Sequence, residues 1–171
     1  MSAADLDERF RHLTLDVLRS LPPDELGDAV IQHVAFQVGD DVSRIPDVVR
    51  GLPAGLRAIY ATSVVDLEVS NGGFNQFFWN PSSQYADDAL RGYELLGATE
   101  YAAVLRSALA IRAAERDRLA PYDRAGTLEA FSASYEVTGL GEADESYYAL
   151  GSRLYSAWAS LLRRRGELFV V

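Results

Sequence analysis

Apolar residues recur at every third or fourth position along most of this chain, and no convincing run alternates with period two. A side-chain period near 3.6 can bury a stripe only as a helix, so the pattern restricts the fold to packed helices. Ser2 with Asp5 three residues on resembles a capping start, followed by Leu6, Phe10, Leu13, Val17 and Leu18 at helical spacing. Pro22-Pro23 breaks that helix and opens a second, striped by Leu26, Val30, Val34 and Val38 and closed by Gly39. Asp40 to Arg50 reads as a connector with a short helical turn after Pro46, and Gly51-Leu52-Pro53 stops and restarts the chain. Leu56, Ile59, Tyr60, Ser63, Val64 and Leu67 then make a clean one-sided stripe. Further helices are predicted from about Ser83 to Leu96, from a Thr99 cap through Ile111, from a Thr127 cap through Phe131, and from about Asp144 to Arg164. Pro121 to Gly126 reads as a break and Gly139-Leu140-Gly141 as a loop. Leu168 to Val171 reads as one extended piece, and one strand is not a sheet. The expectation is an all-α, single compact domain of about seven to nine helices over residues 1–171, with no internal repeat or linker.

Composition removes several classes of function. With no cysteine, disulfides, thiolate metal sites and thiol catalysis are excluded. No stretch approaches the roughly 20 apolar residues of a membrane span, and the acidic N-terminus does not look like a signal peptide, so the cytoplasm is the expected compartment. The net charge of −9 is unevenly spread. Residues 1–48 carry ten acids against four arginines, and residues 127–150 carry five acids and no base. Such a surface repels nucleic acid, whose binding needs cations, and attracts basic proteins. A plainer reading is that the acids keep the chain soluble.

Residues 71–81 depart from their surroundings. Gly72-Gly73 is followed at once by Phe74, Phe77, Phe78 and Trp79, interleaved with Asn71, Asn75, Gln76 and Asn80. No helix is expected to run through the paired glycines. So dense an aromatic run must be buried, and its amides must then find partners. One reading is a helix–turn–helix corner with Gly72 as a left-handed cap. The other is the floor of a pocket, with Asn71, Asn75 and Gln76 turned to a small ligand. A phosphate loop is excluded because the chain has no lysine.

The remaining polar groups give no convergent catalytic set. His12 and His33 fall on different predicted helices, so neither a metal nor any other cofactor is expected. Asp66 and Glu68, two apart on a helix, point in nearly opposite directions. Glu68 borders the apolar stripe and is expected to bond the amide cluster or an arginine such as Arg57. Asp40, Asp41 and Asp47, then Asp87, Asp88 and Glu94, then Glu142, Asp144 and Glu145 form the candidate acidic interaction surface. Several of these also stand where helices begin, where the macrodipole favours carboxylates. Arg163-Arg164-Arg165 suits a helix C-terminus for the same reason.

The block Leu52-Pro53-Ala54-Gly55-Leu56-Arg57, with Tyr60, Glu68, Asn71 to Asn80, Tyr85-Ala86, Ala89-Leu90, Leu96-Gly97-Ala98 and Tyr101-Ala102, resembles a bacterial family whose namesake is a dimeric DNA-mimic protein. The resemblance is close over about residues 50–112 and loose over 125–165, and its core is N-G-G-F-x-Q-F-F-x-N. It implies an all-α fold, a homodimer without enzymatic activity, and an acidic surface that imitates a DNA backbone to occupy a DNA-binding protein. The signature residues Glu68 and Asn71 to Asn80 read as fold residues, whereas mimicry depends on acids outside them. A small-ligand binder or enzyme using the Asn71–Asn80 corner is the alternative.

Overall fold

The computed structural model describes residues 6–170, so the proposed Ser2–Asp5 helix start and Val171 lie outside the described residues. Among the described residues ten α-helices follow one another: α1 (Leu15–Ser20), α2 (Leu26–Val38), α3 (Ile45–Gly51), α4 (Ala54–Trp79), α5 (Ala86–Leu96), α6 (Thr99–Ala114), α7 (Arg116–Ala125), α8 (Leu128–Ser134), α9 (Gly141–Tyr148) and α10 (Arg153–Arg164). Four short 3-10 turns, Glu8–Phe10, Val42–Arg44, Pro81–Tyr85 and Gly166–Phe169, link or flank them. No strand occurs among the described residues. The fold is all-α.

The axis of the molecule is α4, against which α2, α3, α5, α9 and α10 all pack. Small side chains allow this. Ala58, Ala61, Thr62 and Ser63 are buried, so neighbours approach from more than one side. Gly92 of α5 lies so near the α4 backbone that a Cβ there would sit 3.1 Å from the Ala58 carbonyl oxygen. Trp158 of α10 fills the junction of α2, α4 and α10, and its Nε1–H donates to Thr62 Oγ1 at 3.0 Å. That hydroxyl donates in turn to the Ala58 carbonyl at 2.7 Å, whereas the buried Ser63 hydroxyl, beside Gly27 in the same junction, has no hydrogen-bond partner.

The helix count exceeds the expectation because local caps and long-range partners cut or extend the stripes. The first predicted helix is interrupted. Asp7 accepts from the Arg9 amide to start a 3-10 turn, and Thr14 accepts from the Val17 amide to start α1 separately. The predicted 144–164 helix begins at Gly141 and is split, with Gly151 at φ 58° between α9 and α10. Tyr101 of α6 secures both sides of that break: its hydroxyl donates to the Gly151 carbonyl at 2.8 Å and accepts the Leu154 amide at 3.2 Å. Helix α7 runs through Pro121, where a break was expected. Thr99 is the first residue of α6 and not its cap. Of the predicted extended piece, Leu168 and Phe169 lie in a 3-10 turn and Val170 is extended; Phe169 buries itself on α4, where a Cβ on Gly55 would meet its ring at 2.7 Å.

Candidate functional site

The signature segment is the last third of α4. Gly72 (φ −157°, ψ 27°) and Gly73 (φ 69°, ψ −177°) leave helical geometry, and the helix resumes at Phe74. The helical path breaks at the glycine pair, as expected: two helices meet there across a kink, and the second starts at once at Phe74. It is also Gly73, not Gly72, that takes the positive φ, in a region essentially restricted to glycine.

A restarted helix has amides without partners in its first turn. Asp144 of α9 supplies one: its Oδ1 accepts the Phe74 N–H at 2.7 Å. A Cβ on Gly73 would stand 2.5 Å from Asp144 Oδ2, so the glycine leaves the space in which the carboxylate sits. The carbonyls exposed by the break are also taken up. Tyr135 donates its hydroxyl to Gly72 O at 2.6 Å, and Tyr148 donates to Val69 O at 2.9 Å. Burial pushes the Asp144 carboxyl above the ordinary carboxylate range, and the Phe74 amide bond pulls the other way.

The amides of the segment spend their donors inside the fold. Asn71 Nδ2 donates to Gln76 Oε1 at 2.9 Å. Gln76 Nε2 and Asn80 Nδ2 both donate to Glu68 Oε2 at 2.8 Å, while Ser82 donates to Glu68 Oε1. Buried Asn75 donates to Ser134 Oγ at 2.8 Å, tying α4 to α8. Glu68 is thus the hub of the amide cluster, and Arg57 instead donates to the Arg50 carbonyl at 3.2 Å. Phe74 and Phe77 are wholly buried, Phe74 against Tyr147 with ring centroids 5.7 Å apart, and Trp79 packs on Phe131 at 5.2 Å.

A family model described as DMP19-like protein matches residues 50–165, from the end of α3 to the end of α10. The chain belongs to the DMP19-like family. This is the DNA-mimic family that the Asn71–Asn80 signature resembles. No curated protein and no solved structure matches the chain. The family match spans the α4 break and each element that secures it.

Asp66, whose inward placement the sequence does not reveal, is a third internal carboxylate of this DMP19-like chain. Half-buried Asp66 accepts the Tyr147 hydroxyl at 3.0 Å and the Tyr155 hydroxyl at 3.4 Å. Burial raises its pKa, and the two tyrosine bonds partly offset that. Tyr93, whose hydroxyl lies 3.4 Å from that of Tyr147, is fully buried, and desolvation pushes its phenol far up. Asp66 and Glu68 face different partners and do not converge, as their spacing requires. Among the described residues no three His, Asp or Glu side chains gather as a metal-ligand set. His33 Nδ1 lies 2.9 Å from the Phe10 carbonyl oxygen.

The candidate acidic surface divides by what each carboxylate touches. Asp144 turns inward, which corrects its placement among the surface acids. Asp47 pairs with Arg50 at 2.6 Å, Asp88 with Arg91 at 2.8 Å, and Glu94 with Arg106. Asp41 accepts from Ser43 N and Oγ, which holds its carboxyl below the usual range. Asp40, Asp87, Glu142 and Glu145 are exposed and enter no ion pair among the described residues. Two further exposed acids share that condition on and beside α8, Glu129 and Glu136. No helix of the described residues is long and apolar enough to cross a membrane.

Proposed function

We propose that this chain is a non-enzymatic, cytoplasmic acidic binding protein that acts as a homodimer and presents carboxylates to a basic or DNA-binding protein, in the manner of a DNA mimic. The observation that carries the reading is the uncompensated charge of residues 127–150, inside the family match. That stretch has five acids and no base. With Asp144 committed to the fold, Glu129, Glu136, Glu142 and Glu145 point outward without a cation partner among the described residues. Exposed carboxylates on rigid helices attract a cationic surface at long range and repel DNA itself. Catalysis is disfavoured because the internal carboxylates Asp66, Glu68 and Asp144 are each taken up by hydrogen bonds to different partners in the fold.

The test uses the immobilised full chain and a cell extract fractionated on DNA. Proteins retained on the chain should be DNA-binding, should be displaced by added duplex DNA, and should elute as salt rises, since screening shortens to about 8 Å at physiological ionic strength. Glu142→Gln with Glu145→Gln should lose them. Retention indifferent to DNA, salt and these substitutions would sink the reading. Sedimentation of the free chain checks the dimer.

A further inference from the structure

Where α3, α4 and α5 meet, three arginines of this acidic chain come together. Arg50 at the end of α3, Arg57 in the first turn of α4 and Arg91 of α5 line one cleft of about 260 Å³ together with Gln84, Tyr85 and Asp88. Arg50 and Arg91 each give one N–H-bearing nitrogen to a carboxylate, Asp47 and Asp88 respectively, and keep the rest of their guanidinium donors. Among the described residues Arg57 pairs with no carboxylate. Its one side-chain hydrogen bond is to the Arg50 backbone carbonyl, which holds the Arg57 guanidinium at the end of α3.

The floor of the cleft carries an independent signal. Tyr85 is 7% exposed, and its buried hydroxyl has no hydrogen-bond partner. Tyr85 packs edge-on against Tyr60, with ring centroids 5.4 Å apart, and a small shift of its side chain toward an acceptor in the cleft would satisfy the hydroxyl. Tyr85, Gln84 and Pro46 also belong to an adjoining groove of about 450 Å³, whose walls are mainly apolar and include Ile45, Tyr60 and Val64. The two spaces therefore form one amphiphilic site, cationic at one end and apolar at the other, with Tyr85 between them.

We propose that this α3–α4–α5 cleft binds a small organic phosphate, its oxyanion held by Arg50, Arg57 and Arg91 and its apolar body lying in the groove over Tyr60 and Val64. Planar guanidinium forks match phosphate oxygens two at a time, and three of them suit a dianion better than a single carboxylate. Asp88, in the same wall, stays paired with Arg91 and leaves that arginine's outer donors to the ligand. The site lies on elements other than the α8–α9 carboxylates and stands independently of the proposed macromolecular binding.

The probe is phenyl phosphate, titrated into the full chain and followed by amide chemical shifts and calorimetry, with inorganic phosphate and phenol as its two halves. Saturable binding of phenyl phosphate is expected, tighter than either half, with shifts centred on residues 46–60 and 84–91. Arg57→Gln should weaken it by about tenfold or more, the loss expected for a charge-assisted contact. Tyr85→Phe should leave the thermal midpoint unchanged or higher, because it removes an unpaired buried hydroxyl, and yet weaken phenyl phosphate severalfold. The proposal is overturned if phenyl phosphate does not saturate, if inorganic phosphate binds equally well, or if Arg57→Gln leaves binding intact. It is equally overturned if Arg57→Gln alters the sedimentation mass and not the binding, which would make the cleft a contact between copies.

Discussion

At the scale of single residues, the carboxylates inside the fold matter more than those on it. Asp144 is an N-cap delivered from another helix, 70 positions along the chain from the amide it accepts. Asp144→Ala leaves the Phe74 N–H without a partner and is expected to cost about 1–2 kcal/mol, whereas Asp144→Asn keeps an acceptor and should cost less. Urea midpoints measure both. Gly73→Ala is harsher, since it demands φ 69° of a Cβ-bearing residue and drives that Cβ to 2.5 Å from Asp144 Oδ2. A loss of roughly 3 kcal/mol follows from the backbone strain alone. The sign of the pH effect at Asp66 is opposite to that of an ion-paired acid. Burial raises its folded pKa above the unfolded one, so the folded chain keeps a proton that the unfolded chain has released. The stabilisation is therefore present below the ordinary carboxylate range and lost as pH rises through the window between the two values. Asp66→Asn should remove that share, giving a flatter dependence of the urea midpoint on pH just above the ordinary carboxylate range than the parent chain shows.

At the scale of elements, the stripes revealed which segments are helical, and distant contacts decided where they stop. The Gly72-Gly73 break was legible because two adjacent glycines weaken any helix. Its immediate resumption was not, since the groups that permit it, Asp144, Tyr135 and Tyr148, lie more than 60 residues downstream of the glycines. The same holds for the α9–α10 break. Tyr147, Leu150, Leu154 and Trp158 continue the apolar stripe across it, and only Tyr101 of α6 shows why Gly151 ends one helix. Asp144 looked like a surface acid because it sits beside Glu145 in sequence, and nothing local separates the two. Helix α7 errs in the other direction. Pro121 removes one intrahelical bond, yet the segment between Glu115 and the left-handed Gly126 (φ 61°) stays helical. Pro121→Ala is accordingly expected to stabilise the chain by about 1 kcal/mol, the helix-interior gain being reduced by the greater freedom of the unfolded chain. Chemical denaturation checks it.

At the scale of the whole molecule, fold and charge are carried by different side chains, and this separation makes the proposed function testable without confusing it with stability. The family signature is absorbed in α4: Glu68 holds Gln76 and Asn80, Asn75 holds Ser134, and the phenylalanines are buried. The outward acids Glu142 and Glu145 of α9 enter no ion pair among the described residues, and they belong to a chain of net charge −9 that already repels itself. Adjacent Asp144 and Glu145 should therefore behave as opposites. Glu145→Gln, alone or with Glu142→Gln, is expected to leave stability within about 0.5 kcal/mol of the parent, or slightly above it, because it removes like-charge repulsion and breaks no contact. The same change should weaken capture of basic proteins and reduce the dependence of that capture on salt. Asp144→Ala should lower stability while leaving capture per folded molecule nearly unaltered, since its carboxylate faces the Phe74 amide and not the solvent. Thermal melts and binding isotherms on the same preparations separate the two effects. A Glu142/Glu145 variant that melts early, or an Asp144 variant that is well folded but no longer captures, would mean that the binding surface is the α4–α9 junction itself.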